Sequence, residues 1–137
     1  MTGLMVCCAV LAAAGVFGVL RRRRNGRVRV RVRDEGQRLD AAELGAELGE
    51  RATLVQFSSA FCAPCRATRR ILGEVAGLVP GVSHVEIDAE SRLGLVRRLG
   101  ILRTPTVLVL DADGRIVRRA TGQPRKADVI AALGEAV

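Results

Sequence analysis

A chain of 137 residues, 49% of them hydrophobic, has room for one domain with a filled core and a short appendage. Three Phe, with neither Trp nor Tyr, leave no stock for the aromatic platforms that hold single-stranded nucleic acid. The net charge of +8 is a local excess: setting aside Arg21–Arg24, Arg27, Arg29, Arg31 and Arg33 leaves 14 of the 22 basic residues, against 14 acidic ones, so no basic footprint for nucleic acid spreads over a fold.

Residues 1–20 carry no charged side chain, and Leu4 to Leu20 is almost wholly apolar. As a helix this run rises about 25 Å, slightly under the roughly 30 Å of a bilayer's hydrocarbon core. A cleavable signal would carry positive charge before the apolar run, whereas here four arginines follow it. A buried core helix would not be followed at once by "RRRR". The expectation is an uncleaved single-pass anchor in the cell membrane over 1–20. Arginine on its C-terminal side alone places the rest of the chain on the cytoplasmic face. Cys7 and Cys8 read as small apolar fillers of the span, and Val6 is a poor match to the small residue that precedes a lipidated cysteine.

Residues 21–38 read as an arginine-rich linker. Within it "RVRVRVR" alternates, with Val28, Val30 and Val32 on one face, as an edge strand would. Its arginines also suit anionic headgroups, at about 1 kcal/mol each. From residue 39 to 137 the pattern predicts a helix over 39–49, a strand over 53–58 and a helix over 62–78, with Ile71, Leu72, Val75, Leu78 and Val79 facing inward. A strand over 82–88 and a helix over 91–99 capped by Ser91 follow. A strand over 106–110 turns at Asp113-Gly114 into its partner over 115–121. A last helix over 125–137 turns Val129, Ile130 and Leu133 inward. The fold class is α/β, a mixed sheet with helices on both faces.

"SSAFCAPCRATRR" contains two cysteines three apart, Cys62 and Cys65, where a strand gives way to a helix. They are a redox pair, half of a metal clamp, or two inert buried thiols. Pro64 suits a first helical turn, where its missing N–H costs nothing. Cys62 then sits at the helix N-terminus, where unpaired N–H groups and the helix dipole stabilise a thiolate. The i, i+3 spacing brings both sulfurs to one side, within disulfide reach. Zinc needs four ligands, and the other soft donors are only His84 and the two cysteines of the apolar run, so no metal is expected.

"VQFSSAFCAPC", "LGILRTPTVLVLDADGRIV" and "TGQPRK" together resemble the thioredoxin family over roughly residues 39–137. The resemblance implies a thioredoxin fold and thiol–disulfide exchange. In that reading Cys62 is the nucleophile, Cys65 the resolving thiol, and the dithiol itself the only cofactor. It also implies a cis Pro105 facing Cys62, with the Thr104 backbone pairing with substrate chain, and substrate-side roles for Phe61 and Gly122. Partners would be protein disulfides and an upstream dithiol reductant. The chain departs from the family pattern in three ways. Phe61 stands for the usual Trp, and Ala63-Pro64 for Gly-Pro. Gln56 stands for the buried acid six residues before the first cysteine. His84, the sole histidine, stands where the family often has a lysine beside that acid, so it is either a satisfied strand residue or a replacement base for proton transfer. The favoured reading is a membrane-tethered protein-disulfide reductase. The alternatives are an extracytoplasmic thiol reductase of the cytochrome-maturation type and a tethered binding module that keeps the fold without the chemistry.

Overall fold

The structure, a computed structural model, describes residues 1–25, 28–29 and 36–137. Helix α1 (Thr2–Asn25) is followed by β1 (Val28–Arg29), α2 (Ala41–Leu44), β2 (Ala52–Ser58) and α3 (Ala63–Leu78). Then come β3 (Val82–Asp88), α4 (Leu93–Leu99), β4 (Thr106–Asp111), β5 (Ile116–Thr121) and α5 (Lys126–Ala136). The strands form one mixed sheet in the order β1-β5-β4-β2-β3. β2 runs parallel to β3 and antiparallel to β4, and β5 is antiparallel to both β4 and β1.

β2 lies near the middle of the sheet, and all seven of its residues are buried. Successive side chains of a strand point to opposite faces, so each strand feeds two cores. Leu54, Val107 and Val109 pack with Leu72 and Val75 of α3 and Val129 and Leu133 of α5. Val55, Phe57, Leu108 and Leu110 pack on the other face with Leu39, Ile87, Leu99 and Ile116. Two buried faces explain why "TLVQF" and "TVLVL" read as nearly continuous apolar runs.

The elements differ from the sequence expectation in four places. The helix expected over 39–49 is a single turn. Asp40 and Glu43 form a reciprocal capping box at its start, and Gly45 ends it in the left-handed region at φ 69°. Residues 45–51 then pass close under the sheet: a Cβ on Gly49 would lie 2.1 Å from the Ala52 carbonyl oxygen, so only glycine fits. Ser91 does not cap α4. It belongs to a short 3-10 turn, Ala89–Ser91, and its hydroxyl donates to Asp88 Oδ2 at 2.8 Å. In α3 the buried stripe is Cys65, Thr68, Leu72 and Val75, whereas Leu78 is exposed. In α5, Ile130 is exposed and Ala132 takes the inward place. The expected Leu72, Val75, Val129 and Leu133 are buried and Ile71 and Val79 pack against the same core, so the expected faces hold except at Leu78 and Ile130, which lie at their edges.

The hairpin at Asp113-Gly114 forms as expected, with Gly114 at φ 83° and Asp111 Oδ1 accepting the N–H groups of Asp113 and Arg115. Val28 and Arg29 pair with Ala120 and Arg119 at the sheet edge, while Val30 and Val32 lie outside the described residues. The chain is tied to this edge before residue 39 as well. Ile116 N–H donates to the Gln37 carbonyl at 3.1 Å, and Arg38 bridges to Arg115. Helix α1 continues beyond the apolar run through the arginines. Its segment Thr2–Arg23 is long and apolar enough to cross a membrane, and the other described residues bury none of its apolar stretch.

Candidate active site

Cys62 and Cys65 stand at the C-terminal end of β2, where the chain crosses from the sheet into α3. They are joined as a disulfide, with 5.2 Å between their Cα atoms. The two sulfurs differ in setting. Cys62 is the N-cap of α3 and partly accessible, and the backbone N–H of Cys65 donates to its Sγ at 3.2 Å. Cys65 is 1% exposed. A helix-terminal N–H aimed at Sγ is the interaction that would hold negative charge on Cys62 after reduction. Pro64 occupies the first turn, where no backbone donor is needed, and its carbonyl accepts the Thr68 hydroxyl at 2.8 Å.

The loop after α4 completes the site. The Thr104–Pro105 peptide bond is cis. Thr104 Oγ1 lies 3.9 Å from Cys62 Sγ and 2.7 Å from Ser59 Oγ. The Thr104 hydroxyl therefore lies beside the sulfur and is paired with that of Ser59. Sequence reasoning misses it, because the resemblance gives Thr104 a backbone role only and Ser59 none. The available signal is "SSAFC", with Ser59 three residues before Cys62. Gly122, at φ 85°, donates its N–H to the Pro105 carbonyl at 2.8 Å. It thus holds the Pro105 loop against the turn after β5. Phe61 is fully exposed beside the disulfide and is the sole described non-glycine residue with positive φ, at 57°. Such backbone strain in a bulky residue concentrates at functional positions.

Behind the cysteines Gln56 is fully buried, and both polar atoms of its side chain are engaged. Its Nε2 donates to the Cys65 carbonyl at 2.8 Å and to Ser58 Oγ at 3.0 Å, and its Oε1 lies 3.1 Å from His84 Nε2. A carbonyl only accepts, so the contact with Cys65 fixes which end of the amide is which. The Oε1 end then requires a proton on His84 Nε2, leaving the lone pair of the neutral ring on Nδ1. Burial pushes the His84 pKa below its ordinary value, with Glu86 pulling it up and Arg69 pushing it further down. Glu86 itself is clamped by Arg69 through two bonds of 2.6 and 2.7 Å. Gln56 thus stands between His84 and Cys65, and an amide does not carry a proton from one to the other. Among the described residues no group of three His, Cys, Asp or Glu side chains is placed to hold a metal ion.

A family model described as a thioredoxin-like domain matches residues 40–137. The chain is 29% identical over 87 residues to the thioredoxin of Mycolicibacterium smegmatis, covering 61% of this chain and 77% of that one. It is 30% identical over 84 residues to the thioredoxin of Bacillus subtilis, covering 60% and 80%. Among solved structures, chloroplastic thioredoxin z superposes with a TM-score of 0.57 at 26% identity, covering 64% of this chain and 79% of that one. A thioredoxin mutant from Halobacterium salinarum superposes at 0.58 with 18% identity, covering 64% and 75%, a likeness of fold. With the disulfide at the strand-to-helix junction of this sheet and a family match spanning most of the chain, the protein belongs to the thioredoxin family and is a thiol–disulfide oxidoreductase.

Proposed function

We propose that the protein reduces disulfides by dithiol exchange, with Cys62 as attacking thiolate and Cys65 as resolving thiol, while tethered to a membrane through α1. The observation that carries this reading is the asymmetry of the pair. Cys62 is accessible and receives a helix-terminal N–H, whereas Cys65 is 1% exposed behind it. The reduced Cys62 thiolate attacks one substrate sulfur, forms an S–S bond to it and expels the other sulfur as a thiolate, which takes up a proton. Cys65 then loses its proton and attacks Cys62 Sγ, closing the protein disulfide and expelling the second substrate sulfur, which is protonated in turn. Two electrons pass from the protein dithiol to the substrate, and the protons released by the two cysteines end on the two substrate thiols. A separate dithiol reductant restores the pair.

In this scheme the departing substrate sulfur is itself a proton acceptor, so resolution needs no buried carboxylate. The geometry supports a positioning role for His84: it holds Gln56, and Gln56 holds the Cys65 carbonyl. Phe61, Thr104, Pro105 and Gly122 form the substrate side. The apolar helix followed by four arginines supports a membrane anchor with the catalytic domain on the cytoplasmic face.

The test is trapping. In cells, Cys65→Ser should accumulate mixed disulfides through Cys62, and Cys62→Ser should accumulate none, as read by non-reducing electrophoresis. Equal trapping by both variants, or trapping through Cys65 alone, would overturn the assignment of roles.

A further inference from the structure

A cavity of about 780 Å³ lies next to the disulfide loop, between the C-terminal end of α1 and the Pro105 loop; neither cysteine lines it, but Pro64 and Thr104, which flank the pair, do. Pro64, Thr104, Pro105 and the Gly122–Pro124 turn line one side, Gly18 and Val19 of α1 line the other, and five arginines contribute: Arg21, Arg22 and Arg23 from α1, Arg103 before the cis peptide bond, and Arg125 after the turn at Gly122. Among the described residues, no carboxylate lines it. Arg125 is partly neutralised by Asp128, whose Oδ2 lies 2.9 Å from its Nε. Among the described residues, none of the other four is held in an ion pair with a carboxylate. The chain from residue 34 onward is balanced in charge, with 14 basic and 14 acidic residues, so the positive excess at this cavity comes from the arginines that end α1.

We propose that this cavity binds an anionic flank of the substrate, acidic side chains of a polypeptide next to the disulfide that Cys62 attacks. The proposal rests on the exchange reading above and names the substrate class for it. Its physical logic comes from the attacking group. A thiolate is an anion, and it approaches a disulfide flanked by Asp or Glu against like-charge repulsion. Such disulfides are therefore intrinsically poor partners for a free thiolate. Guanidinium groups beside the approach path reverse that sign, and their planar forks match carboxylates in pairs of parallel bonds. One-sign clefts of this kind raise encounter rates by about 10–10³-fold, an effect that salt removes. Both halves of the molecule contribute: two of the arginines belong to the catalytic domain and three to the end of the apolar helix, so the anchor completes the substrate site.

The experiment uses the full chain, reduced, in a zwitterionic-lipid nanodisc. It is given two disulfide-linked peptides of identical sequence save for Asp and Glu in one and Asn and Gln in the other around the cystine. Dithiothreitol serves as the free-thiolate reference and should reduce the neutral peptide faster. The protein is expected to invert that order, favouring the acidic peptide at least about tenfold in kcat/KM at low ionic strength and losing the preference near 1 M salt, where screening acts within roughly 3 Å. In Arg103→Gln/Arg125→Gln, and separately in Arg21→Gln/Arg22→Gln/Arg23→Gln, the acidic peptide should slow at least about fivefold more than the neutral one, a contrast that a general folding defect would not produce. A wild-type order matching dithiothreitol overturns the proposal while leaving the exchange reading intact. Loss of the preference only in nanodiscs of anionic lipid would show that headgroups hold the cavity, and overturns it too. Reduction of neither peptide would overturn the exchange reading itself.

Discussion

Gln56 occupies the place of a buried acid, and the network around it turns on which atoms can give a proton. Its amide donates twice and accepts once, so His84 must donate through Nε2. A positioning role and a base role for His84 then predict different things. If His84 positions Gln56, His84→Gln keeps an N–H donor and should release the mixed disulfide at close to the wild-type rate, while His84→Ala should be slower at every pH. Stopped-flow measurement of the second step between pH about 5.5 and 8.5, around the ordinary imidazole value near 6.5, separates the two. Equal slowing in both variants, with loss of an inflection, would restore the base role, since general-base help is typically worth about 10²–10⁴-fold. The same histidine has a stability signature. Its folded pKa lies below its unfolded value because burial disfavours the cation. Above about pH 6.5 it is neutral in both states and imposes no penalty; as pH falls below that, the unfolded chain takes up a proton that the folded chain resists, and stability declines through the folded pKa. The chain has one histidine, so denaturant midpoints measured from pH 7.5 to about 5 should slope in the wild type and flatten in His84→Gln. Identical slopes would show that the ring is not the source. Thr104 is a third case. Its hydroxyl, 3.9 Å from Cys62 Sγ, makes a long contact, and Thr104→Val should slow alkylation of Cys62 at neutral pH by about 2–10-fold, the range of a net hydrogen bond of roughly 0.5–1.5 kcal/mol.

At the scale of elements, α3 shows how a helix face is chosen. Periodicity admits both Leu72 and Leu78 as inward residues, but α3 packs against the sheet and beside α5 and turns Cys65, Thr68, Leu72 and Val75 inward. Leu72→Ala should therefore cost about 2–5 kcal/mol by urea denaturation, and Leu78→Ala less than about 0.5. Comparable losses would mean that the helix packs on a different face. The stripe also has a functional consequence. Cys65 lies on it and Cys62 lies before it, so the packing that buries Leu72 also buries the Cys65 sulfur and leaves Cys62 partly accessible. In α2 the single turn ends at Gly45 because the chain must then pass Gly49 beneath the Ala52 carbonyl, a steric demand invisible in the apolar spacing of "LDAAELGAELG".

At the scale of the whole molecule, charge and hydropathy are separated along the chain. The apolar helix, the arginines that end it and the balanced domain are three successive zones. Under the tethered reading, a cytoplasm-active reporter fused after Val137 should be active, and replacing Arg21–Arg24 with Gln should scramble the orientation. Activity of a reporter that works only outside the cytoplasm would point instead to an extracytoplasmic reductase. The zones also meet in space, because the end of α1 lines the same cavity as Pro64 and the Pro105 loop.

Much of this molecule is legible in the chemistry of neighbouring residues. Strand runs buried on both faces are apolar throughout, a hairpin turn favours Asp-Gly, and a dithiol at a helix start takes the form Cys-x-x-Cys with a tolerable proline. The order of strands along the chain, the hairpin and the cysteine pair can therefore all be read from short stretches of sequence, and so can the apolar run with its arginines. What depends on residues far apart in the chain cannot be read that way. The tautomer of His84 follows from a carbonyl 19 residues away acting through Gln56, and the hydroxyl pair of Ser59 and Thr104 joins residues 45 apart. The inward faces of α3 and α5 are decided by the helix and sheet they pack against, and the arginine-lined cavity by the approach of α1 to a loop far along the chain. Periodicity constrains which residues share a face, but the direction of that face is set by partners that only the folded chain brings near.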